Sequence, residues 1–189
     1  MENKSKKNIL NNSVVRMIGA LTIVGIISGA ILVFVYKYAT PRIENNIKAA
    51  TNRAIENIFP DAQNVQKEKD IYKVTGKDGN LMGYAFTAEG NGYQGTIKLL
   101  VGIDPEISAI QGIEILESQE TPGLGAEISG NKFKKQFKNL SVSEVITYVK
   151  NKKPEKPGEI EAIAGATISS RAVVSIINKK MEEIKRQRL

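Results

Sequence analysis

An uncharged run of 20 residues near the N-terminus constrains this chain more than any other feature. Residues 17–36 read MIGALTIVGIISGAILVFVY and contain no Asp, Glu, Lys or Arg. A helix of that length rises about 30 Å, which matches the hydrocarbon thickness of a bilayer. Arg16 and Lys37 bracket the run, and aromatic residues lie at its C-terminal end, where they favour the membrane interface. The sequence therefore predicts a transmembrane helix over residues 17–38.

A cleaved signal peptide is the alternative interpretation of the same run. Signal peptides have shorter apolar cores and a small-x-small cleavage site, whereas the residue two before Ala39 is Lys37. We therefore expect a retained anchor in the cytoplasmic membrane. Residues 1–16, with clustered lysines, would form a cytoplasmic tail, and the rest of the chain would be extracytoplasmic. Basic residues near the two ends of the span are balanced in number, so the positive-inside rule adds little to this orientation.

The composition excludes several kinds of site. The chain has no Cys and no His, which rules out thiolate and imidazole metal sites, Cys-held iron–sulfur clusters and Ser–His or Cys–His nucleophile pairs. The net charge is +7, but the few aromatic residues are not interleaved with the basic ones as a stacking surface for nucleic acid requires. We expect no nucleic-acid partner, no metal and no catalytic residue, so redox chemistry would need a cofactor.

After the anchor, the pattern predicts a connecting segment and one folded domain. Residues 39–66 are assigned to a connecting helix, because Thr40 and Pro41 are typical of a helix start and Pro60 marks its end. The helix is expected to pack on the domain of residues 67–189. Short runs of alternating or apolar residues separated by turns predict four antiparallel strands, at residues 71–74, 81–88, 95–103 and 107–116.

Two helices complete the predicted domain. Residues 129–138 suggest a short helix in which Phe133 and Phe137 lie one turn apart. The closing helix is predicted from about Ser169 to about Gln187, with a buried stripe formed by Val173, Ile177, Met181 and Ile184. The expected fold is α+β: one N-terminal transmembrane helix and one antiparallel-sheet domain with flanking helices.

Two loops rich in glycine and small residues are the candidate functional segments. The first is residues 120–125, ETPGLG, and the second is residues 161–170, EAIAGATISS. The hydroxyls of the second segment lie at the expected start of the closing helix. They suit an N-cap, and equally an anion site, because a helix N-terminus presents free N–H groups and a positive dipole end. The residues alone leave both interpretations open.

With these two loops in this order behind a single anchor, nearly the whole chain resembles the G subunits of Rnf complexes. These are ion-translocating ferredoxin:NAD oxidoreductases, and their covalent FMN-binding domain is shared with a subunit of the sodium-pumping quinone reductase. The resemblance implies that residues 67–189 form an FMN-binding domain. It further implies an electron-transfer subunit, without a complete active site of its own, in a complex that couples ferredoxin:NAD electron transfer to Na⁺ or H⁺ movement.

The resemblance also implies roles for individual residues. Thr167 would be joined through its hydroxyl to the FMN phosphate, and Glu161 would be recognised by a separate flavin transferase. This chain has Glu161 and Ala164 where the family more often has Asp and a hydroxyl residue. Further FMN contacts are expected from two groups of residues: Gly165, Ala166, Ser169 and Ser170 beside the acceptor, and Glu120, Thr121, Gly123, Leu124 and Gly125 near the isoalloxazine ring.

Expected partners are the lipid bilayer, the flavin transferase, and membrane and iron–sulfur or flavin subunits of the complex. Gly25 and Gly29 form a GxxxG pattern that permits close packing against another membrane helix. Two alternatives remain at this stage. One is an anchored FMN domain of another respiratory or quinone reductase, and the other is an anchored assembly module without flavin.

Overall fold

The computed structural model describes residues 2–187, with side chains from 13 to 186. The outermost residues of the predicted tail and domain, 1 and 188–189, lie outside the described residues. Contacts divide the chain into two units, Met1–Lys48 and Ala49–Leu189. The first helix, α1, spans Glu2–Ile58. Its apolar stretch is exposed on all sides and is long enough to cross a membrane.

Helix α1 passes through Pro41 without ending, so the predicted start of a separate helix at Thr40 is wrong. Proline lacks an N–H group and removes one helical hydrogen bond. The Thr40 hydroxyl adds a bond by donating to the carbonyl of Tyr36, at 2.8 Å. In a sequence, a Thr-Pro pair therefore does not distinguish a helix start from the interior of a long helix. The predicted end before Pro60 is confirmed, because the helix stops at Ile58.

A six-stranded antiparallel sheet forms the centre of the second unit. The strands follow one another in space as they do in sequence: β1 Asn64–Glu68, β2 Ile71–Thr75, β3 Leu81–Asn91, β4 Thr96–Ile103, β5 Ala109–Ser118 and β6 Leu140–Ser141. Strands β2 to β5 confirm the four predicted strands. The sequence did not predict β1, which is polar and wholly exposed, or β6, which has two residues.

Two short strands outside the main sheet were also missed. Strand β7, Thr147–Val149, pairs in parallel with β8, Glu159–Glu161. The proline-broken segment between them is largely exposed, as its composition indicates. The pairing fixes the chain immediately before the second candidate loop, since the N–H of Ala162 also donates to the carbonyl of Val149.

The helical segments differ in detail from the prediction. Instead of one helix over residues 129–138, the chain forms a 3₁₀ turn at Gly125–Ser129, the short helix α2 at Asn131–Lys134, and a second 3₁₀ turn at Lys135–Phe137. Gly130 causes the first break, because its backbone is extended (φ −72°, ψ 145°). The last helix, α3, spans Thr167–Gln187, so it begins two residues earlier than predicted.

Both faces of the sheet are covered. The alternating residues Ile97, Leu99 and Val101 of β4 are fully buried, together with the predicted stripe of α3. On the opposite face, residues at the C-terminal end of α1 pack against the sheet, as expected for the connecting helix. That second core contains Ala54, Ile55, Phe59, Val74, Ala85 and Leu100.

The end of α1 packs closely against the sheet. This packing requires glycine at position 102, whereas position 112 has room for a larger residue. A Cβ added to Gly102 would lie 2.5 Å from Ile58 Cγ2 and 2.8 Å from Phe59 Cε2. Gly112, its partner on β5, has 3.4 Å to Ile58. We predict that Gly102→Ala destabilises the folded unit by about 1–3 kcal/mol through overpacking, whereas Gly112→Ala changes stability by less than about 0.5 kcal/mol.

Urea unfolding of the full chain in mild detergent measures both variants. Equal midpoints for the two would contradict the packing described here.

Candidate functional site

The two predicted loops meet at one end of the sheet and enclose a hollow of about 430 Å³. A third segment joins them, the four-residue connection between β3 and β4 at residues 92–95. Residues of all three segments line the hollow: Tyr93, Glu120, Thr121, Leu124, Gly125, Gly165, Ala166, Thr167, Ile168 and Ser169. Eight of these ten were predicted from the sequence as cofactor contacts.

The carboxylate of Glu120 connects the three segments. Its Oε1 accepts hydrogen bonds from the backbone N–H groups of Tyr93 (2.8 Å) and Gln94 (2.9 Å). Its Oε2 accepts a bond from the hydroxyl of Ser169, at 2.5 Å. Glu120 is only 6% exposed. Glu120 therefore links the β3–β4 hairpin, the first loop and the start of α3 by hydrogen bonds. From sequence alone it resembles a solvated charge.

The Glu120 carboxylate occupies space that is free because Gly92 and Gly125 have no side chains. A Cβ on Gly125 would lie 2.6 Å from Ser169 Oγ and closer still to Glu120 Oε2. A Cβ on Gly92 would press on Glu120 Oε1 and lie 2.7 Å from Ile97 Cδ1. Any larger residue at either position would displace the carboxylate, since real Cβ atoms do not approach so closely.

The surroundings of Glu120 keep it ionised. Burial raises the pKa of Glu120, but hydrogen bonds from Ser169, Gln94, Tyr93 and Gly95 outweigh it, and the net pKa lies below its usual value. Charge-assisted hydrogen bonds of this kind are among the stronger ones in proteins. The floor of the hollow therefore carries a fixed negative charge at neutral pH.

Thr167 is the first residue of α3 and is half-buried at the wall of the hollow. The turn before it depends on Gly165, whose φ of +80° lies in the left-handed region. A Cβ at Gly165 would have only Leu124 Cδ2 nearby, at 3.7 Å, so the space beside the turn is open. The Thr167 hydroxyl thus stands at a helix N-terminus next to accessible backbone.

Three predicted residues do not line the hollow. Ser170 is fully buried, and its hydroxyl accepts from the N–H of Ile163 and donates to the carbonyl of Ala166. Gly123 has a φ of +73° and forms the turn of the first loop. Ser170 and Gly123 therefore shape the segments that carry the lining residues.

Glu161 also lies away from the lining, at the end of β8. The side chain of Gln136 holds its peptide: the N–H of Glu161 donates to Gln136 Oε1 at 2.7 Å, and Gln136 Nε2 donates to the Glu161 carbonyl at 3.1 Å. Strand β8 is thus paired on one side by β7 and bonded on the other by a side chain.

Sequence reasoning missed two lining residues, Tyr93 and Ile168. Tyr93 reaches the site through the pairing of β4 with β5 and the bond from its N–H to Glu120, neither of which a local pattern reveals. Ile168 directly follows Thr167 and is 46% exposed, which an apolar residue in an amphipathic helix pattern does not suggest.

The fold and the hollow match a known class of domain. Residues 92–182 match the family model described as the FMN-binding domain. The fold is also that of the NqrC protein of Shewanella oneidensis, whose crystal structure has a TM-score of 0.57 at 21% identity and covers 65% of this chain and 67% of that one. Residues 92–182 of the second unit therefore form an FMN-binding domain.

Curated relatives narrow this class further. The chain is 35% identical, over 92% of its length, to the G subunit of the proton-translocating ferredoxin:NAD(+) oxidoreductase complex of Clostridium ljungdahlii, of which it covers 92%. It is 29% identical, over 94% of its length, to the G subunit of the ion-translocating oxidoreductase complex of Methanosarcina acetivorans, covering 97% of that protein. The chain belongs to the family of G subunits of ion-translocating ferredoxin:NAD(+) oxidoreductase complexes. Its apolar helix and these relatives indicate a membrane-anchored, single-pass protein.

The bonds of Glu120 predict a pH-dependent stability. Glu120→Gln replaces an oxygen acceptor by an amide N–H₂ and should cost about 1–3 kcal/mol at neutral pH. Because the pKa of Glu120 is lowered on folding, its stabilisation is present above the unfolded pKa, near 4, and is lost as the pH falls through the folded value. The difference between Glu120→Gln and the unmutated chain should therefore shrink on acidification.

Urea midpoints at neutral pH and at about pH 3 test this expectation. Exposed Glu117, three residues away, offers the control Glu117→Gln, which should match the unmutated chain at both pH values. If Glu120→Gln differed from the unmutated chain by the same amount at both pH values, the negative charge of Glu120 would not be the source of its stabilisation.

Proposed function

We propose that this protein is a membrane-anchored electron-transfer subunit that carries FMN covalently bound to Thr167, within an Rnf-type complex that couples ferredoxin:NAD electron transfer to Na⁺ or H⁺ translocation. The observation that carries the proposal is the position of the Thr167 hydroxyl. It stands at the start of α3, beside an open glycine turn, in a hollow of about 430 Å³ within an FMN-binding domain.

The phosphate end of the flavin suits the start of α3. The first N–H groups of a helix have no acceptor within the helix, and the dipole there is positive. A phosphoester on Thr167 would place its residual negative charge against those groups, with the open turn at Gly165 and Ala166 beside it. Ser169 supports this turn indirectly, because its hydroxyl is bonded to Glu120.

The ring end of the flavin suits the first loop, residues 120–125. Thr121, Leu124 and Gly125 present backbone and apolar surface to the hollow, and Leu124 is 51% exposed. Largely apolar walls with a few polar groups are typical of cofactor sites. Glu120 would supply a fixed charge at the floor of the hollow, since its oxygens are already bonded to protein groups.

FMN, when bound, supplies one- and two-electron chemistry that this chain lacks in its own side chains. The chain has neither Cys nor His, so the domain's own contribution is to hold and orient the flavin and to exclude part of the solvent. A covalent bond would also prevent loss of the cofactor from a domain outside the cytoplasm.

Maturation would require a flavin transferase that recognises Glu161. The peptide of Glu161 is held by Gln136 and β7, while its side chain is partly exposed. The backbone of Glu161, six residues before Thr167, therefore has a defined position on the folded domain.

Replacement of the acceptor tests the covalent bond. After co-expression with a flavin transferase, the full chain should give a fluorescent band on a denaturing gel under ultraviolet light. Thr167→Val keeps the shape of the side chain and removes the hydroxyl, so the band should disappear. Thr147→Val, at the exposed first residue of β7, is the matched control and should keep the band. A band that persists in Thr167→Val would overturn the assignment.

Protease accessibility tests the orientation. With the FMN-binding domain outside the cytoplasm, protease added to intact spheroplasts should digest residues 40–189 and leave the membrane-embedded segment. Protection of those residues in intact spheroplasts, with digestion only after lysis, would reverse the topology.

A further inference from the structure

An exposed aromatic ring stands at the mouth of the hollow. Tyr93 lies in the connection between β3 and β4, is 68% exposed and lines the hollow opposite the start of α3. It is the one aromatic residue among those that line the hollow.

The backbone that carries this ring is held firmly. The N–H groups of Tyr93 and Gln94 both donate to Glu120 Oε1, and the N–H of Gly92 donates to the carbonyl of Gly95 at 2.7 Å. The hydroxyl of Thr121 donates to Gln94 Oε1 at 3.1 Å. The loop is therefore fixed to the floor of the hollow, although the side chain of Tyr93 is open to solvent.

Exposed apolar side chains of the second unit concentrate at this hollow. Within residues 49–186, five large hydrophobic side chains are exposed, and three of them line it: Tyr93, Leu124 and Ile168. The other two, Val65 and Val145, lie on β1 and on the segment before β7. Clustered exposure of this kind marks a binding site rather than scattered surface residues.

We propose that the Tyr93 ring packs against the isoalloxazine ring of FMN and sets the redox environment of the flavin. The proposal rests on the proposed function and adds the residue that faces the ring. Planar aromatic systems favour offset-stacked or edge-to-face contact. The negative face of the phenol ring opposes negative charge on a reduced flavin, so the contact lowers the reduction potential.

Native fluorescence of the covalently loaded full chain tests the contact. A tyrosine in contact with a flavin quenches its emission, because the phenol donates an electron to the excited ring and regains it without net reaction. The ratio of native to denatured emission should therefore be low in the unmutated chain and rise several-fold in Tyr93→Phe and Tyr93→Leu. The control is Tyr72→Phe on β2, whose ring lies beside Lys67 and away from the hollow; it should not change the ratio.

The midpoint potential of the bound FMN is a second readout, and it distinguishes packing of an aromatic ring on the flavin from quenching by the phenol. Tyr93→Leu removes the aromatic face and should raise the potential, while Tyr93→Phe keeps an aromatic ring and should stay near the unmutated value. An unchanged emission ratio in both variants, in chains that carry the fluorescent band on denaturing gels, overturns this inference alone. Absence of that band from the unmutated chain overturns the proposed function and this inference together. Quenching that appears only when other subunits are present would instead assign the ring to an interface with a partner.

Discussion

The buried carboxylate of Glu120 is the interaction on which the rest of the site depends. It is bonded to two N–H groups of one loop and to the first turn of a helix 49 residues further along the chain. Each such bond to a charged group contributes about 1.5–3 kcal/mol, and leaving one of them unmade costs the desolvation of a buried charge. The glycines at 92 and 125 are required because the carboxylate fills the space that their side chains would need. In the ETPGLG loop, the first residue, Glu120, is therefore as important for holding the site together as the glycines are.

The sheet brings these segments together through its register. Strand β4 begins at Thr96, and Ile97 pairs with Ser118 at the end of β5, so the loops at 92–95 and 119–125 leave the same end of the sheet. A further bond, from the N–H of Gln119 to the carbonyl of Thr96, continues that pairing into the loop. Helix α3 covers one face of the sheet with its buried stripe, and this packing sets where its first residue, Thr167, must lie.

Patterns among neighbouring residues predicted the strands and the helix stripe that arise from those neighbours alone. Alternation and turn residues identified β2 to β5, and helical spacing identified the stripe of α3. Strands β1 and β6 could not be predicted, since the first has no apolar face and the second has two residues. The break at Gly130 and the passage of α1 through Pro41 depend on context that the same residues do not reveal. At the site, both loops were predicted, but Tyr93 was not, because its place there depends on the pairing of β4 with β5 and on a hydrogen bond across 27 residues of sequence. Burial of Glu120 was missed for the same reason.

The way Glu120 is satisfied has a consequence for biogenesis. Its acceptors are filled by protein donors, and within the part of the chain whose side chains are described no buried polar side-chain atom lacks a partner. The buried side chains around the hollow therefore need no flavin to complete their bonding, unlike a metal site whose ligands repel one another until the ion arrives. Under the proposed attachment of FMN to Thr167, folding and cofactor attachment are separate events, so unmodified subunits could be stored until flavin is supplied.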